Sequence, residues 1–301
     1  MAEFEYPVKN SEETTKTFNQ YRVLLFSIAY RMLGSATDAE DIVQEAFLRW
    51  LQANDEEIQS PRAFLSTVVT RLCIDQLRSA RAKRELYVGP WLPEPLSTSQ
   101  RQDLTETAVL AESLSFAFLV MLENLGPLER AVFLLREVFD YDYAEIAAIV
   151  GKSEANCRQV LHRAHQHLEQ RRPRFEVSRE QQERITAQFL HASLGGDMQG
   201  LLNLLAEDVV FAADSGGKAW AGLKPVHGAD KVARGVLGGR RFLPPGIQGI
   251  IEEVNGQPAI VGYADGRPTI VVLLYIEDGL IRRVYQVVNP DKLHWLGRQH
   301  N

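Results

Sequence analysis

Cysteine is scarce in this chain of 301 residues, since Cys73 and Cys157 are its only two. Neither has a partner at the spacing of metal ligands, so we predict neither a disulfide framework nor a metal site. The sequence also lacks an apolar run of the length that crosses a bilayer, and it does not begin with the basic and apolar segments of a secretory signal. We therefore expect a cytoplasmic protein that does not contact a membrane.

Positive charge is also in short supply, because 33 Lys and Arg residues stand against 39 Asp and Glu, a formal net charge of −6. An acidic chain would argue against nucleic-acid binding if its charges were evenly spread. Residues 61–85 and residues 151–174, however, each contain six Lys or Arg and two acidic residues. Such local clusters are what phosphate binding requires, so nucleic acid stays a candidate partner.

The length and the apolar content predict a soluble, multidomain protein. Hydrophobic residues make up 45% of the chain, which is enough to bury cores in two or three compact units. We predict two all-α domains followed by an α+β domain. The boundaries are residues 1–85 for the first helical domain, residues 86–104 for a proline-rich linker, residues 105–174 for the second helical domain and residues 178–296 for the α+β domain.

Three amphipathic helices are predicted in the first domain. The first carries apolar residues at helical spacing from Phe18 onwards and ends at Gly34. The second begins behind Asp38, which we expect to be its N-cap. The third begins at Ser60 and Pro61, a cap followed by the proline that suits the first helical position.

Residues 142–168 have the pattern of a helix-turn-helix. A short helix is followed by a turn at Gly151, a cap at Ser153 and a longer helix with one apolar face. The side chains that fall together on the outward face of the longer helix are Arg158, Gln159, His162 and Arg163. Arginine and glutamine can bond base edges in a bidentate way, so we favour DNA reading over the alternative of an ordinary solvated face.

The first basic segment and an acidic stretch before it have two interpretations each. Basic groups beside threonine hydroxyls in residues 61–85 suit contact with single-stranded DNA, but a solvated helix end has the same composition. Acidic residues in the first turns of the second helix offset its dipole. Asp38, Asp41 and Glu45 also align into a stripe that a basic partner could bind.

Beyond Pro173 the pattern becomes mixed. Helices are predicted from about Ser178 to Leu194 and behind Asp197, followed by five strand-like runs. Asn-Gly or Asp-Gly pairs separate the last four runs, and these residues tolerate the positive φ of tight hairpins. We therefore predict a curved antiparallel sheet with helices on one face.

Taken in order, the helical segments resemble the extracytoplasmic-function group of sigma-70 RNA polymerase sigma factors. Residues 38–50 (DAEDIVQEAFLRW) resemble the helix that binds core polymerase, and residues 70–78 (TRLCIDQLR) resemble the region 2 helix that melts and reads the minus-10 promoter element. Residues 125–130 (LGPLER) and the helix-turn-helix resemble region 4, which reads the minus-35 element. The resemblance covers about residues 17–172 and implies two partners: promoter DNA and core RNA polymerase, the latter through a coiled coil of its β′ subunit.

This resemblance implies three sets of contact residues. The polymerase-binding set is Asp38, Asp41, Gln44, Glu45 and Leu48. The minus-10 set is Arg62, Thr67, Thr70, Arg71, Arg78 and Arg81. The minus-35 set is Lys152, Ser153, Asn156, Arg158, Gln159, His162 and Arg163. Many members carry Asn where this chain has Arg71, which leaves its preferred minus-10 base open.

The C-terminal domain resembles the SnoaL-like, NTF2-like fold. Residues 87–95, residues 214–218 (DSGGK) and residues 289–293 (NPDKL) resemble segments of the sigma factors that carry this domain as a fusion, except that Ser215 replaces a glycine. In that group the extension tunes sigma activity in place of a separate anti-sigma factor. The regulatory contact residues so implied are Asp214, Gly216, Gly217, Lys218, Asn289, Pro290, Asp291, Lys292 and Leu293. A plain turn with a surface ion pair is the alternative.

Two further functions compete with a sigma factor. The C-terminal domain could be an enzyme or a sensor of a small-molecule ligand if its acid–base side chains converge on a pocket, and these candidates are Asp214, His227, Tyr263, Tyr275 and Tyr285. We favour sensing over turnover, because a fold alone does not establish an activity. A plain transcriptional regulator would leave the acidic helix and the Arg71 helix unexplained. A sigma factor is not an enzyme, so we expect no catalytic residues, no cofactor and no metal.

Overall fold

A computed structural model of the chain describes residues 11–53, 58, 60–85, 87–99, 108–168 and 177–296, without the side chains of residues 11, 80–85, 108 and 109. These residues form two compact units, the first from residues up to 81 and 122–170, the second from residues 82–121 and 171 onwards. None of the helices in the described parts of the chain is long and apolar enough to cross a membrane.

The helices are numbered in chain order. They are α1 (Ser11–Leu33), α2 (Ala36–Gln52), α3 (Pro61–Glu85), α4 (Ala108–Leu114), α5 (Phe116–Leu122), α6 (Pro127–Glu137), α7 (Tyr143–Val150), α8 (Glu154–Leu168), α9 (Arg179–Gly195), α10 (Met198–Leu204) and α11 (Ala229–Gly239). The strands are β1 (Leu205–Asp214), β2 (Val226–His227), β3 (Gln248–Val254), β4 (Gln257–Ala264), β5 (Arg267–Glu277) and β6 (Leu280–Val287).

The start of α2 corrects one prediction. The side chain of Ser35, and not that of Asp38, caps this helix, because the Ser35 hydroxyl accepts a hydrogen bond of 3.1 Å from the Asp38 amide. Asp38 therefore lies in the first turn, where its charge still opposes the helix dipole. The predicted end of α1 at Gly34 is confirmed, since Gly34 has the left-handed φ of 65°.

Buried arginines fix the helices of the first unit. The Arg130 guanidinium on α6 donates to the Met32 carbonyl at 2.7 Å and pairs with Glu123 at 2.8 Å, with only 3% of its side chain exposed. Arg31 is also buried and donates to the Ser27 carbonyl, and burial lowers its pKa to about 9. The Arg130 bond to Met32 ties α6 to the end of α1, whereas the Arg31 bond lies within α1.

The predicted helix-turn-helix is confirmed in α7 and α8. Asp142 and Glu145 form a capping box at the start of α7, and Gly151 ends it with a left-handed φ of 65°. The Ser153 hydroxyl then accepts from the Asn156 amide at 3.2 Å and starts α8. Apolar residues of both helices turn inward, among them Ile146, Ile149, Val160 and Leu161.

The second unit contains a mixed sheet, which corrects the antiparallel prediction. Its strand order is β2-β1-β6-β5-β4-β3, and β1 pairs with β6 in parallel while the other pairs are antiparallel. The long connection from β1 through α11 carries the chain to the far edge of the sheet, so β6 returns beside β1 in the same direction. The three predicted hairpins are confirmed, with positive φ at Asn255, Asp265, Asp278 and the glycine after each.

Each face of this curved sheet has its own core, since successive residues of a strand point to opposite sides. One core contains Ile260 and Val284 and lies under α9, α10 and α11. Helix α11 was not predicted from the sequence. Glycines in α11 weaken its helical pattern in the sequence. The other core contains Val261 and Tyr285, and Leu92 of the linker and Phe116 of α5 cover it. The unit thus has an α+β architecture, with helices on one face of the sheet and the linker and α5 on the other.

The described part of the linker, residues 87–99, packs along the second unit without helix and with one isolated β-bridge. Leu92 and Leu96 are buried, and Ser97 bridges Val254 at the edge of the sheet. The Asn255 side chain accepts from the Leu96 amide at 3.0 Å and donates to the Leu114 carbonyl at 3.1 Å. A turn residue therefore also holds the linker.

Replacing Asn255 with Ala should release the linker near Leu96. Because Asn255 is fully buried, losing its side chain removes an acceptor worth about 1–3 kcal/mol, and exchange of the Leu96 amide should rise by about tenfold. Asp265→Ala is the matched control, since it imposes the same left-handed strain in an exposed turn. Hydrogen exchange measures both. Equal exchange at Leu96 in the two variants would contradict this role of Asn255.

Candidate functional site

The acidic face of α2 presents carboxylates together with an apolar side chain. Asp41, Gln44 and Leu48 are exposed, Leu48 by 53%, while Asp38 and Glu45 are half-buried. Glu45 accepts a hydrogen bond of 2.9 Å from Arg49, an exposed pair that a stronger basic partner can replace. This face can bind a basic helix that also covers the exposed Leu48 side chain.

A groove of about 380 Å³ runs beside this face, between α1 and α2. Phe18, Val43 and Phe47 line it, and Gln44 and Leu48 belong both to the groove and to the predicted polymerase-binding set. The predicted residues therefore border a concave apolar surface. Sequence reasoning missed this groove, because it depends on how α1 packs against α2.

All seven residues of the predicted minus-35 set are exposed on the helix-turn-helix. Arg158 pairs with Glu154 at 2.8 Å and its guanidinium lies 4.5 Å from the ring centroid of Tyr143. His162 lies 3.2 Å from the side-chain nitrogen of Gln166. These are surface contacts of small energy, so the side chains can turn to a DNA groove at little cost.

The predicted minus-10 set is spread over α3 in several environments. Thr70 is buried and its hydroxyl has no partner within the described residues, while the Thr67 hydroxyl donates to the Ala63 carbonyl at 2.7 Å. Arg78 pairs with Asp75 at 3.2 Å on the surface. The Arg81 side chain lies outside the described part of the chain. The structure does not gather these residues into one exposed site.

Arg71 is held by the helix-turn-helix within the first unit. Its Nε donates to the Ile149 carbonyl at 2.8 Å and its Nη2 to the Ala148 carbonyl at 3.1 Å. Both carbonyls lie in the last turn of α7, where the helix dipole favours a cation. Two further contacts join α3 to the loop before α7: the Arg62 guanidinium lies 4.6 Å from the Tyr141 ring centroid, and the Ser66 and Tyr141 hydroxyls are 2.7 Å apart. Two of the donors of the Arg71 guanidinium are therefore occupied by α7 in this structure.

In the second unit, the carboxylate of Asp214 is fully buried and accepts four hydrogen bonds. Oδ1 accepts from the Tyr87 hydroxyl at 2.6 Å and from the Gly216 amide at 3.1 Å. Oδ2 accepts from the Leu92 amide at 2.8 Å and from the Lys292 ammonium at 2.7 Å. Two of the four donors belong to the linker, so the buried charge is satisfied only while the linker is in place.

Lys292 completes this network from the other side. Its ammonium donates to the Leu92 carbonyl at 2.5 Å and lies 4.2 Å from the ring centroid of Trp91. The Asn289 amide donates to the Tyr87 oxygen at 2.9 Å. Burial and the neighbouring Asp214 carboxylate raise the pKa of Tyr87, which keeps its hydroxyl protonated as a donor.

The two glycines of the 214–218 segment permit the close approach of the linker. Gly216 and Gly217 have left-handed φ values of 56° and 72°. A Cβ on Gly216 would clash with the Asn289 amide, and one on Gly217 would lie 3.3 Å from the Cβ of Val88. Ser215 is buried and its hydroxyl accepts from the Gly217 amide, so a serine fits where the resemblance implies a glycine.

The remaining regulatory residues lie around the same network. Lys218 pairs with Asp291 on the surface, Pro290 opens the 3₁₀ turn that carries Lys292, and Leu293 is buried. The structure therefore brings the 214–218 and 289–293 segments together on the linker. Sequence reasoning missed Asn255, because its Asn-Gly pair was already explained by the hairpin turn.

The five acid–base candidates do not gather in a pocket. The second unit has an apolar cavity, and none of these five residues lines it: Asp214, His227, Tyr263, Tyr275 and Tyr285. The Tyr263 hydroxyl donates to Glu252 instead, and burial raises its pKa to about 12. The Tyr285 ring packs 5.5 Å from that of Phe116, and burial raises its pKa as well. Two non-adjacent phenols that hold their protons do not form an acid–base pair.

Comparisons with known proteins agree with this geometry. Family models for Sigma-70 region 2 and Sigma-70 region 4 match residues 17–83 and 115–168. The ECF RNA polymerase sigma factor SigJ of Mycobacterium tuberculosis is 38% identical over 287 residues, 91% of each chain. The probable ECF sigma factor SigI of the same organism is 34% identical over 284 residues, 94% of this chain and 95% of the other. The crystal structure of SigJ superposes with a TM-score of 0.72 and covers 94% of this chain and 98% of its own.

Replacing Arg71 with Ala should loosen the contact between α3 and α7. The two lost hydrogen bonds are charge-assisted but partly solvated, so amide exchange over residues 148–152 should accelerate by about five- to tenfold. Arg78→Ala is the matched control, because Arg78 lies on the same helix in an exposed pair. Hydrogen exchange by mass spectrometry gives both values. No difference between the two variants would show that Arg71 does not hold α7.

Proposed function

Because the chain belongs to the extracytoplasmic-function group of sigma-70 RNA polymerase sigma factors, we propose which of its residues perform each step of promoter-directed initiation. The function itself is that of the family: a sigma factor binds core RNA polymerase and directs transcription from specific promoters. Polymerase and sigma factor act in the same compartment, so we place this chain in the cytoplasm.

We propose that α2 binds polymerase through Asp38, Asp41, Gln44, Glu45 and Leu48. The observation in support is the set of exposed and half-buried carboxylates next to the exposed Leu48 and the apolar groove. A basic coiled coil of the β′ subunit has the complementary charge, and apolar side chains along it can enter the groove. The carboxylates then set the orientation, while Leu48 and the groove contribute buried apolar area.

We propose that α8 reads the minus-35 element and α3 reads the minus-10 element. Support for α8 is that its basic and amide side chains are exposed on one face of a capped helix-turn-helix. Support for α3 is the family match over residues 17–83 and the exposure of Arg62, Arg71 and Arg78. In the structure, Arg71 instead bonds α7, so this contact must open before the two helices can occupy separate promoter elements.

We further propose that the C-terminal domain restrains this opening through the linker. Residues 87–98 lie in the chain between the two parts proposed to read DNA. The network around Asp214 and Lys292 holds these linker residues in place within the second unit. A linker attached in this way cannot rearrange freely to place the two parts on separate promoter elements. Release of the linker would therefore raise promoter-directed transcription. The hydrogen bonds between the linker and the Asp214–Lys292 pair are the observation that carries a regulatory role for the domain.

A second role, the sensing of a small molecule, is supported by the apolar cavity of the same domain. Its walls include Lys218, Pro290 and Leu293, which belong to the two segments around the linker network. A bound molecule would therefore contact the two segments that hold the linker. Sensing of this kind needs no turnover, only a difference in affinity between the held and the released linker.

Charge reversal on α2 tests the polymerase assignment. The double variant Asp41→Lys, Glu45→Lys should lose at least about tenfold in affinity for core polymerase, because like charges would then face each other. Its circular dichroism should match that of the parent, since neither carboxylate is buried. The control is Glu180→Lys, Glu207→Lys, an equal change in net charge on the second unit.

Fluorescence anisotropy of labelled protein against core polymerase measures both affinities, and run-off transcription from the gene's own upstream region shows whether initiation follows them. Full binding by the α2 variant would contradict the assignment of α2. Failure of the unaltered chain to bind polymerase at all would contradict the sigma-factor function itself.

A further inference from the structure

The cavity of the second unit is enclosed enough to bind a small molecule. It measures about 510 Å³, within the range of about 300–1,000 Å³ that is usual for ligand sites. It lies between the concave side of the sheet and the helices α9 and α11, and Phe189, Phe211 and Val232 are among its walls. A void of this size with apolar walls favours an apolar occupant.

The charges around the cavity have one sign. Its lining contains two cations, Lys218 and Arg240, and no Asp, Glu or His. Lys218 already pairs with Asp291, whereas Arg240 forms no ion pair among the described residues. Arg240 is exposed at the rim, near the end of α9 at Gly196. The cavity therefore offers one uncompensated positive charge at its edge.

The cavity lining has two further features, one at the rim and one inside the cavity. Trp220 and Phe242 line the cavity with their rings stacked 3.4 Å apart between centroids, and both are exposed, Trp220 by 59%. Exposed aromatic rings at a cavity suit a flat apolar molecule. Further in, the Ser193 hydroxyl is buried without a hydrogen-bond partner in the described parts of the chain. An occupant with a polar group could satisfy it.

We propose that this cavity binds a small, flat apolar molecule with a single anionic group. The apolar body occupies the space between the sheet and α9, and the anion lies at the rim beside Arg240. An anion is preferred to a cation because a cation would meet Arg240 and Lys218 with no carboxylate in the lining. This inference names the ligand class for the sensing role proposed above and rests on it.

Binding should also depend on the linker. Pro290 and Leu293 line the cavity, and the same short segment carries Lys292, which holds Leu92. A ligand that moves this segment weakens the hold on the linker, and by reciprocity release of the linker changes the affinity for the ligand.

The test uses the full chain and two fluorescent probes of similar shape. The probes are 1-anilinonaphthalene-8-sulfonate, which is anionic, and N-phenyl-1-naphthylamine, which is neutral. Ser193→Phe fills the cavity and Ser193→Ala leaves it open, so the pair tests the place of binding. Arg240→Ala removes the rim charge, and Arg241→Ala removes a neighbouring exposed charge that does not line the cavity.

We expect one molecule of either probe to bind per chain. Ser193→Phe should lower the affinity for both by about tenfold or more, while Ser193→Ala, which removes at most one neutral hydrogen bond, should lower it by no more than about threefold. Arg240→Ala should lower the affinity for the sulfonate alone by about tenfold, as for a lost charge-assisted bond, and Arg241→Ala should change neither. Both arginines are exposed, so this pair stays informative even if Ser193→Phe does not fold.

Unchanged binding to a folded Ser193→Phe variant would place the probes outside the cavity and overturn the site. Equal effects of Arg240→Ala and Arg241→Ala would overturn the preference for an anion. No binding of either probe would overturn the sensing role itself. Neither polymerase nor DNA is present, so these outcomes are independent of the sigma-factor function.

Discussion

The ion pair between Asp214 and Lys292 is the interaction on which the second unit and the linker jointly depend. Their side chains are 0% and 8% exposed, so both charges have lost their water. Removing two charges from water costs several kcal/mol each, and the pair is stable only if its other bonding positions are filled. The linker fills several of them with the Tyr87 hydroxyl, the Leu92 amide and the Leu92 carbonyl. Displacing the linker thus leaves a poorly satisfied buried pair, which explains why this segment is ordered although its prolines exclude helix and sheet.

The proposed function gives this segment a second role, because the parts proposed to read the two promoter elements lie on either side of it in the chain. Within the first unit, Arg71 joins α3, the helix proposed to read the minus-10 element, to the carbonyls of α7, the first helix of the helix-turn-helix. Under the proposed function, both contacts have to open at initiation, and the binding of core polymerase and promoter DNA offsets their loss. The free energy needed to open these contacts is that of a few hydrogen bonds, which the binding of a partner can supply.

The sequence predicted those features that depend on local pattern. Helix periodicity, the Gly151 turn, the Ser153 cap and the three hairpins follow from a few neighbouring residues each, and all are confirmed. Features that depend on distant partners could not be read in this way. The parallel pairing of β1 with β6, the second role of Asn255 and the bonds of Arg71 to α7 join residues far apart in the chain. The acid–base candidates failed to converge for the same reason, since residue type does not reveal which side of a strand faces the cavity.

The hold of the C-terminal domain on the linker is tested most directly by transcription with the full chain after its key linker contact is removed. Tyr87→Ala deletes the hydroxyl that bonds Asp214 and Asn289 without touching the sheet, and Ser99→Ala is a control at an exposed linker position. Run-off transcription with core polymerase should rise by at least about threefold for Tyr87→Ala, as for the loss of about 1 kcal/mol of restraint, and stay at the parental level for Ser99→Ala. Equal transcription by all three proteins, or a fall for Tyr87→Ala, would contradict a restraining role of the linker network.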